Sequence, residues 1–275
     1  MIVDAHHHFW SYRPEEFGWI GEDMSVLRRD FLAADLHAEI AAAGVQAVVS
    51  VQARQTLEET RWLLDIASRN GFVAGVVGWV PLLAPNVDEV LEEFADHDCL
   101  KGVRHVVQDE PDEFFQERDD FNRGVRQLLR HDLVYDVLVH ERHLPQTVAF
   151  VRQHEEQRFV LDHIGKPRIR DGMRRPWANS IRELSREENV WCKLSGMVSE
   201  ADRENWTVDQ LRYYMDTVLE SFGPDRVMFG SDWPVCLVAC DYARWLGIVK
   251  DVIAELSEDE QASILGRSAV AAYKL

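Results

Sequence analysis

Val3-Asp4-Ala5-His6-His7-His8-Phe9-Trp10 begins as an apolar, strand-like run and ends in histidines. A doubly wound open sheet favours a glycine-rich turn after its first strand, whereas here the first strand runs straight into imidazoles. Side chains alternate along a strand, so His6 and His8 point to one side and His7 to the other. At the C-terminal end of a first barrel strand, His6 and His8 stand together at the mouth. Two imidazoles so placed can share a divalent ion such as Zn2+ at roughly 2.0–2.1 Å each. A purification-tag remnant fits poorly, because the run holds only three histidines and they continue an apolar strand pattern.

Outward from this segment, short runs rich in Val and Ile alternate with longer stretches of helical periodicity. The strand-like runs cover residues 2–5, 45–51, 72–80, 100–107, 133–139, 158–162, 190–194 and 226–229. Several are almost continuously apolar, as expected of parallel strands covered on both faces. Amphipathic stretches lie between them at 31–43, 57–70, 87–97, 121–131, 144–157, 181–189 and 208–222. Gly44, Asn70-Gly71 and Gly223-Pro224 fall where such units need turns. Eight strand–helix units over about 250 residues predict an α/β protein of the (β/α)8 TIM-barrel type. No linker or repeat divides the chain, so one domain over 1–275 is expected. Residues 111–117 and 166–176 read as longer loops after the fourth and sixth strands, and 257–275 as short closing helices.

The chain has 275 residues, with 48 Asp+Glu against 30 Lys+Arg and a formal net charge of −18. Its 46% hydrophobic and 28% charged content is that of a folded globular chain. The acidity argues against nucleic acid, which needs clustered Lys and Arg, and against anionic membrane surfaces. No basic segment followed by an apolar run opens the chain, and no apolar stretch approaches the ~20 residues of a membrane helix. Cys99, Cys192, Cys236 and Cys240 show no pairing pattern, which predicts reduced thiols in a cytoplasmic protein. An acidic surface neither requires nor excludes a homo-oligomer.

Two further segments carry chemistry. Phe159-Val160-Leu161-Asp162-His163-Ile164-Gly165-Lys166-Pro167 places His163 at the end of the sixth strand. Arg226-Val227-Met228-Phe229-Gly230-Ser231-Asp232-Trp233-Pro234 ends the eighth strand in a carboxylate. Asp232 can cap a helix, ligate a metal or take a proton from water. The next helical pattern starts only near Tyr242, which weakens the capping role. Together these segments put His6, His8, His163 and Asp232 at the rim where barrels of this type hold their active sites.

With His6-x-His8, His163 and Asp232 in these positions, the sequence resembles the amidohydrolase superfamily. Within it, "DAHHHFW", "GVVGWV", "KGVRHVVQ", "YDVLV", "LDHIGKP", "WCKLSG" and "MFGSDWPV" resemble the branch of sugar-lactone hydrolases acting on L-fucono- and L-rhamnonolactone. The likeness extends from Val3 to Pro234 and implies a hydrolase opening a small sugar lactone. It implies a metal set of His6, His8, His163 and Asp232 holding one divalent ion, Zn2+. Strands four and five offer no bridging Lys or Glu, so a two-metal site is not expected. The branch also leaves room for metal-free chemistry, in which Arg104 and His163 supply the positive charge.

Asp232 is then the expected proton acceptor for the attacking water, and His163 a ligand or a donor to the oxyanion. For the substrate, Arg104 is favoured over its neighbour His105, because adjacent strand residues point oppositely and a guanidinium fork suits sugar-acid oxygens. Gln52, Trp79, His140 and Lys193 end other strands and are further candidates, with solvent exposure an equal alternative for Lys193. Trp10, Trp19 and Trp233 are expected to form an aromatic wall. Dicarboxylate or sulfonated lactones would need several cations in the mouth, and Arg54, Arg104, Lys166, Arg168 and Lys193 leave that open. A decarboxylase could use the same His and Asp set, whereas passive metal storage would not need Asp232.

Overall fold

The runs of Val, Leu and Ala form the strands of one parallel sheet in the computed structural model, which describes all 275 residues. They are β1 (Val3–His7), β2 (Ala47–Val51), β3 (Val73–Gly78), β4 (Leu100–His105), β5 (Val134–Val137), β6 (Phe159–Leu161), β7 (Val190–Leu194) and β8 (Val227–Phe229). Sheet order follows chain order, so each strand is joined to the next by a crossover carrying a helix. These helices are α1 (Ala33–Ala43), α2 (Leu57–Arg69), α3 (Val87–Glu92), α4 (Asp119–Arg130), α5 (Leu144–Arg152), α6 (Arg175–Leu184) and α7 (Val208–Phe222). After β8 come α8 (Tyr242–Val252), α9 (Glu258–Ala262) and α10 (Ser268–Tyr273). The main-chain amides of Asp232 and His8 donate to the carbonyls of His6 and Trp233 at 2.8 and 2.7 Å. These bonds bring β8 back to β1, and the sheet is a nearly closed (β/α)8 barrel.

Apolar burial is divided between two layers. A cluster of 69 residues lies between strands and helices, while only 11 fill the barrel itself. Most hydrophobic stabilisation therefore belongs to the outer layer, at roughly 1.5–3 kcal/mol for each large side chain removed from water. The inner cluster includes Val3, Val49, Val134 and Val160 from the strands and Ala269, Ala272 and Tyr273 from α10. Closing helix α10 thus plugs the end of the barrel opposite the histidines.

Several boundaries differ from the periodicity. β1 runs from Val3 to His7, beyond the expected end at residue 5, because His6 and His7 are themselves buried strand residues. β6 stops at Leu161 because a tight turn, Asp162–Gly165, takes over with left-handed φ of 52° at His163 and 50° at Ile164. α6 begins at Arg175, six residues ahead of the pattern: Pro176 starts the helix, its fixed φ suiting the first turn, where it had been read as loop. α3 and α5 end earlier than their apolar spacing suggests, at Glu92 and Arg152. α7 occupies the expected range, with Thr207 accepting from the Gln210 amide in a capping box. No helix is long and apolar enough to cross a membrane.

Candidate active site

Strand alternation in β1 separates its histidines as the sequence requires. His7 turns outward to Ser50 Oγ at 2.8 Å, while His6 and His8 turn inward with their Nε2 atoms 3.2 Å apart. From the end of β8, Asp232 Oδ1 lies 3.8 Å from His6 Nε2, 3.5 Å from His8 Nε2 and 3.9 Å from His163 Nε2. All four side chains are almost fully buried. Asp241, not Asp232, caps α8 by accepting from the Arg244 amide at 2.7 Å.

The donor set fits a divalent ion. Four ligands at ~2.0–2.1 Å in a tetrahedron stand about 3.3 Å from one another, close to the spacings among His6, His8 and Asp232. His8 Nδ1 meets the Val51 carbonyl at 2.8 Å, and His6 Nδ1 lies 3.2 Å from Asp162 Oδ1 and 3.1 Å from Lys193 Nζ. His8 Nδ1 therefore carries the proton, and its Nε2 lone pair meets His6 Nε2 and a carboxylate at one point. A cation relieves that repulsion. Two imidazoles and a carboxylate, with a fourth position facing a cavity, are the donors of a catalytic zinc-type site.

Below this cluster lies a charge network that the sequence did not announce. Asp162 Oδ1 is 2.9 Å from Lys193 Nζ, and Asp162 Oδ2 is 2.9 Å from Arg104 Nη1. Lys193 also binds Asp136 at 2.6 Å, and Asp136 accepts from Tyr273 Oη at 2.8 Å. Burial opposes the Asp162 charge, but Lys193, His6 and Arg104 hold its carboxyl well below the usual range. Asp136 is pushed up to about 6 by burial, with Lys193 opposing. Lys193 is thus neither solvent-facing nor in the substrate pocket: at 0% exposure it is an internal cation between two carboxylates. A carboxylate such as Asp162 at the end of an otherwise apolar strand is the sequence signal for such a network, since buried charge must be paired.

Arg104 and His105 divide as adjacent strand residues should. Arg104 faces inward, its Nη2 donating to the main-chain and side-chain oxygens of Gln52. His105 faces the helices, with Nε2 2.6 Å from Glu110 and its ring stacked on Phe115. Trp79 follows His105 outward and donates to its Nδ1 at 3.4 Å. This corrects the expectation that Trp79 reaches substrate. Gln52 likewise serves Arg104 beneath the cavity instead of lining it.

Above the cluster opens a cavity of about 500 Å³. His8, His163 and Asp232 lie among its walls with Arg104, and His140 contributes from beyond β5. Gln55, Gln108 and Asp109 come from the loops after β2 and β4, and Lys166, Glu200 and Arg203 from those after β6 and β7. Of the three tryptophans expected to form a wall, only Trp19 reaches the cavity. Trp10 and Trp233 are buried behind it, both edge-on to Phe31, with Trp10 Nε1 donating to the Arg29 carbonyl. Both were too apolar to stay at a wet rim once Phe31 offered them a packing partner. Glu200 and Arg203 carry no strand or motif signal, and sequence reading missed them.

Main-chain shape aims the chemical groups. His163 and Asp232 both adopt left-handed φ, 52° and 57°, which costs non-glycine residues of order 1–3 kcal/mol each. His163 Nδ1 contacts Ser195 Oγ at 2.9 Å. The ring is then covered by Gly196 (φ 66°), where a Cβ would stand 2.5 Å from His163 Nδ1. Burial lowers the His163 pKa to about 4, despite Asp232 nearby, so the ring is neutral at pH 7. Burial works against the Asp232 charge, yet His163, His8 and Lys166 keep its pKa below the ordinary value. The site therefore presents a carboxylate, the neutral rings of His6 and His163 and a place for one cation.

The model of the family described as Amidohydrolase matches residues 3–275. An L-fucono-1,5-lactonase of Burkholderia multivorans is 42% identical over 286 aligned positions, covering 100% of this chain and 96% of that protein. Another, from Burkholderia ambifaria, is 37% identical, covering 99% of this chain and 95% of its own. A crystal structure of an amidohydrolase from Burkholderia multivorans with bound Zn superposes with a TM-score of 0.97 at 41% identity, covering 100% of this chain and 99% of that one.

Proposed function

The chain belongs to the amidohydrolase family and is a sugar-lactone hydrolase, and we propose that it opens L-fucono-1,5-lactone by attack of water. The observation that carries this reading is the convergence of His6 Nε2, His8 Nε2 and Asp232 Oδ1 at one side of a polar cavity large enough for a sugar ring. His6, His8 and Asp232 would hold a divalent ion, Zn2+ on the donor chemistry, with His163 beside them. Bound there, such an ion supplies Lewis acidity and lowers the pKa of water toward about 7.

The protein's own groups divide the remaining work. Asp232 Oδ1 is turned toward the imidazoles, which leaves Oδ2 to take the proton from water. The same carboxyl then returns it to the ring oxygen as the ester bond breaks, so no other acid is needed. With Ser195 Oγ at its Nδ1, neutral His163 has Nε2–H free to donate to the oxygen that becomes negative in the tetrahedral state. Arg104 stays fixed to Asp162 and contributes charge from below. Gln55, Gln108, Asp109 and His140 offer hydrogen bonds to the sugar hydroxyls, and Trp19, 41% exposed at the rim, offers a face for its C–H groups. Four unpaired cysteines are in keeping with a reducing, cytoplasmic compartment.

Proton release from L-fucono-1,5-lactone, with and without chelator, tests the reading. We expect rapid opening that chelation abolishes and added Zn2+ restores. Asp232→Asn should lower kcat by about 10²–10⁴-fold with unchanged circular dichroism. Full activity in that variant would remove Asp232 from the mechanism, and no opening of any aldonolactone would overturn the function.

A further inference from the structure

Each cation on the cavity wall is already held by a carboxylate. Arg104 is paired with Asp162 at 2.9 Å, Arg203 with Asp23 at 2.7 Å and Lys166 with Glu200 at 3.6 Å. The first two carboxylates are not among the wall residues, whereas Glu200 is. Lys166 follows the β6 turn, and its amide is anchored on the His163 carbonyl at 2.9 Å. Glu200 lies on the loop after β7, whose carbonyl accepts from the Arg170 amide at 3.0 Å. That bond ties the two loops together and keeps the pair in register. The Lys166 charge acts on His140, His163 and Asp232 alike, so it stands over the region where the lactone ring must lie. Burial pushes the Glu200 carboxyl up, with Lys166 opposing.

A lactone bearing a carboxylate would find no unpaired side-chain cation on these walls and would face Asp109 and Glu200. Its charge would lose water without compensation. Hydroxyl groups meet the opposite situation, with carboxylate acceptors and Gln108 Oε1, which is buried without a partner. We propose that Glu200 reserves the pocket for uncharged polyhydroxy lactones, by silencing Lys166 and repelling ring-borne carboxylates. This rests on the lactonase reading and names the residue that sets its substrate charge. Discrimination thus comes from a repulsive element as well as from attractive contacts.

The test uses the full chain, L-fucono-1,5-lactone as neutral substrate and muconolactone as carboxylated probe. In Glu200→Gln, the ratio of kcat/KM for muconolactone to that for the sugar lactone should rise tenfold or more. The calorimetric Kd for muconolactone should tighten in parallel, and both gains should be clearly smaller in Glu200→Gln/Lys166→Met, where only the relief of repulsion remains. Asp23→Asn, which frees Arg203 instead, should shift the Kd in the same direction and serves if Glu200→Gln fails to fold. A ratio and Kd within twofold of wild type, or a gain equally large without Lys166, would overturn the proposal. The Kd needs no turnover, so failure of the wild type on sugar lactones would sink the lactonase reading separately.

Discussion

His6 and His8 present their Nε2 atoms 3.2 Å apart, with His8 Nδ1 held by the Val51 carbonyl and His6 Nδ1 beside Asp162 and Lys193. A carboxylate behind a ligating imidazole fixes its tautomer and raises its basicity. Asp162→Asn should therefore weaken metal affinity by about 10–100-fold, read by competition with a chromogenic chelator. Unchanged affinity would leave Asp162 only its ion pairs with Lys193 and Arg104. The two-residue alternation made His6, His8 and Arg104 legible from sequence, since inward and outward positions follow from strand geometry. Trp79 and Lys193 were not legible. Strand ends locate a residue along the barrel axis but do not say whether it sits outside the wall, at the rim or in the charged interior.

The turn after β6 and the loop after β7 act as a unit: His163 is thrown into the site by left-handed main chain and covered by Gly196. Gly196→Ala would place a methyl against the His163 ring at a positive φ. We expect a loss of about 1–3 kcal/mol in urea unfolding, together with a drop in kcat larger than any change in KM. Wild-type values for both would show that the ring has room to move aside. The strands themselves were readable from their apolar runs, and α7 from its period and cap. Turn geometry was only partly readable: Gly165 and Gly196 advertise positive φ, but His163, Ile164, Lys166 and Asp232 adopt it without being glycine. α6 was misplaced for a related reason, Pro176 being equally at home in a loop and in the first turn of a helix.

The whole barrel closes through a seam that has few main-chain bonds and is reinforced by one buried carboxylate. Asp4 Oδ1 accepts from the Ser231 amide at 2.8 Å and the His6 amide at 3.1 Å, and Oδ2 accepts from Tyr242 Oη at 3.0 Å. One side chain thus links β1, the end of β8 and α8. Asp4→Ala would leave several buried donors unsatisfied and should cost about 2–5 kcal/mol, read as a lowered thermal midpoint. A midpoint equal to wild type would mean that the main-chain bonds suffice. Eight alternating units, an inward His-x-His pair and a carboxylate after the eighth strand follow from local rules of period and spacing, and they were present in the order of residues. The charge pairs that tie Arg104 to Asp162, Lys193 to Asp136 and Lys166 to Glu200 join residues up to 58 positions apart. No local rule specifies such pairs, because electrostatic partners are chosen by distance in space after the barrel has closed. The His and Asp cluster at the barrel mouth was therefore written in the chain, while the charge character of the cavity above it arose only from folding.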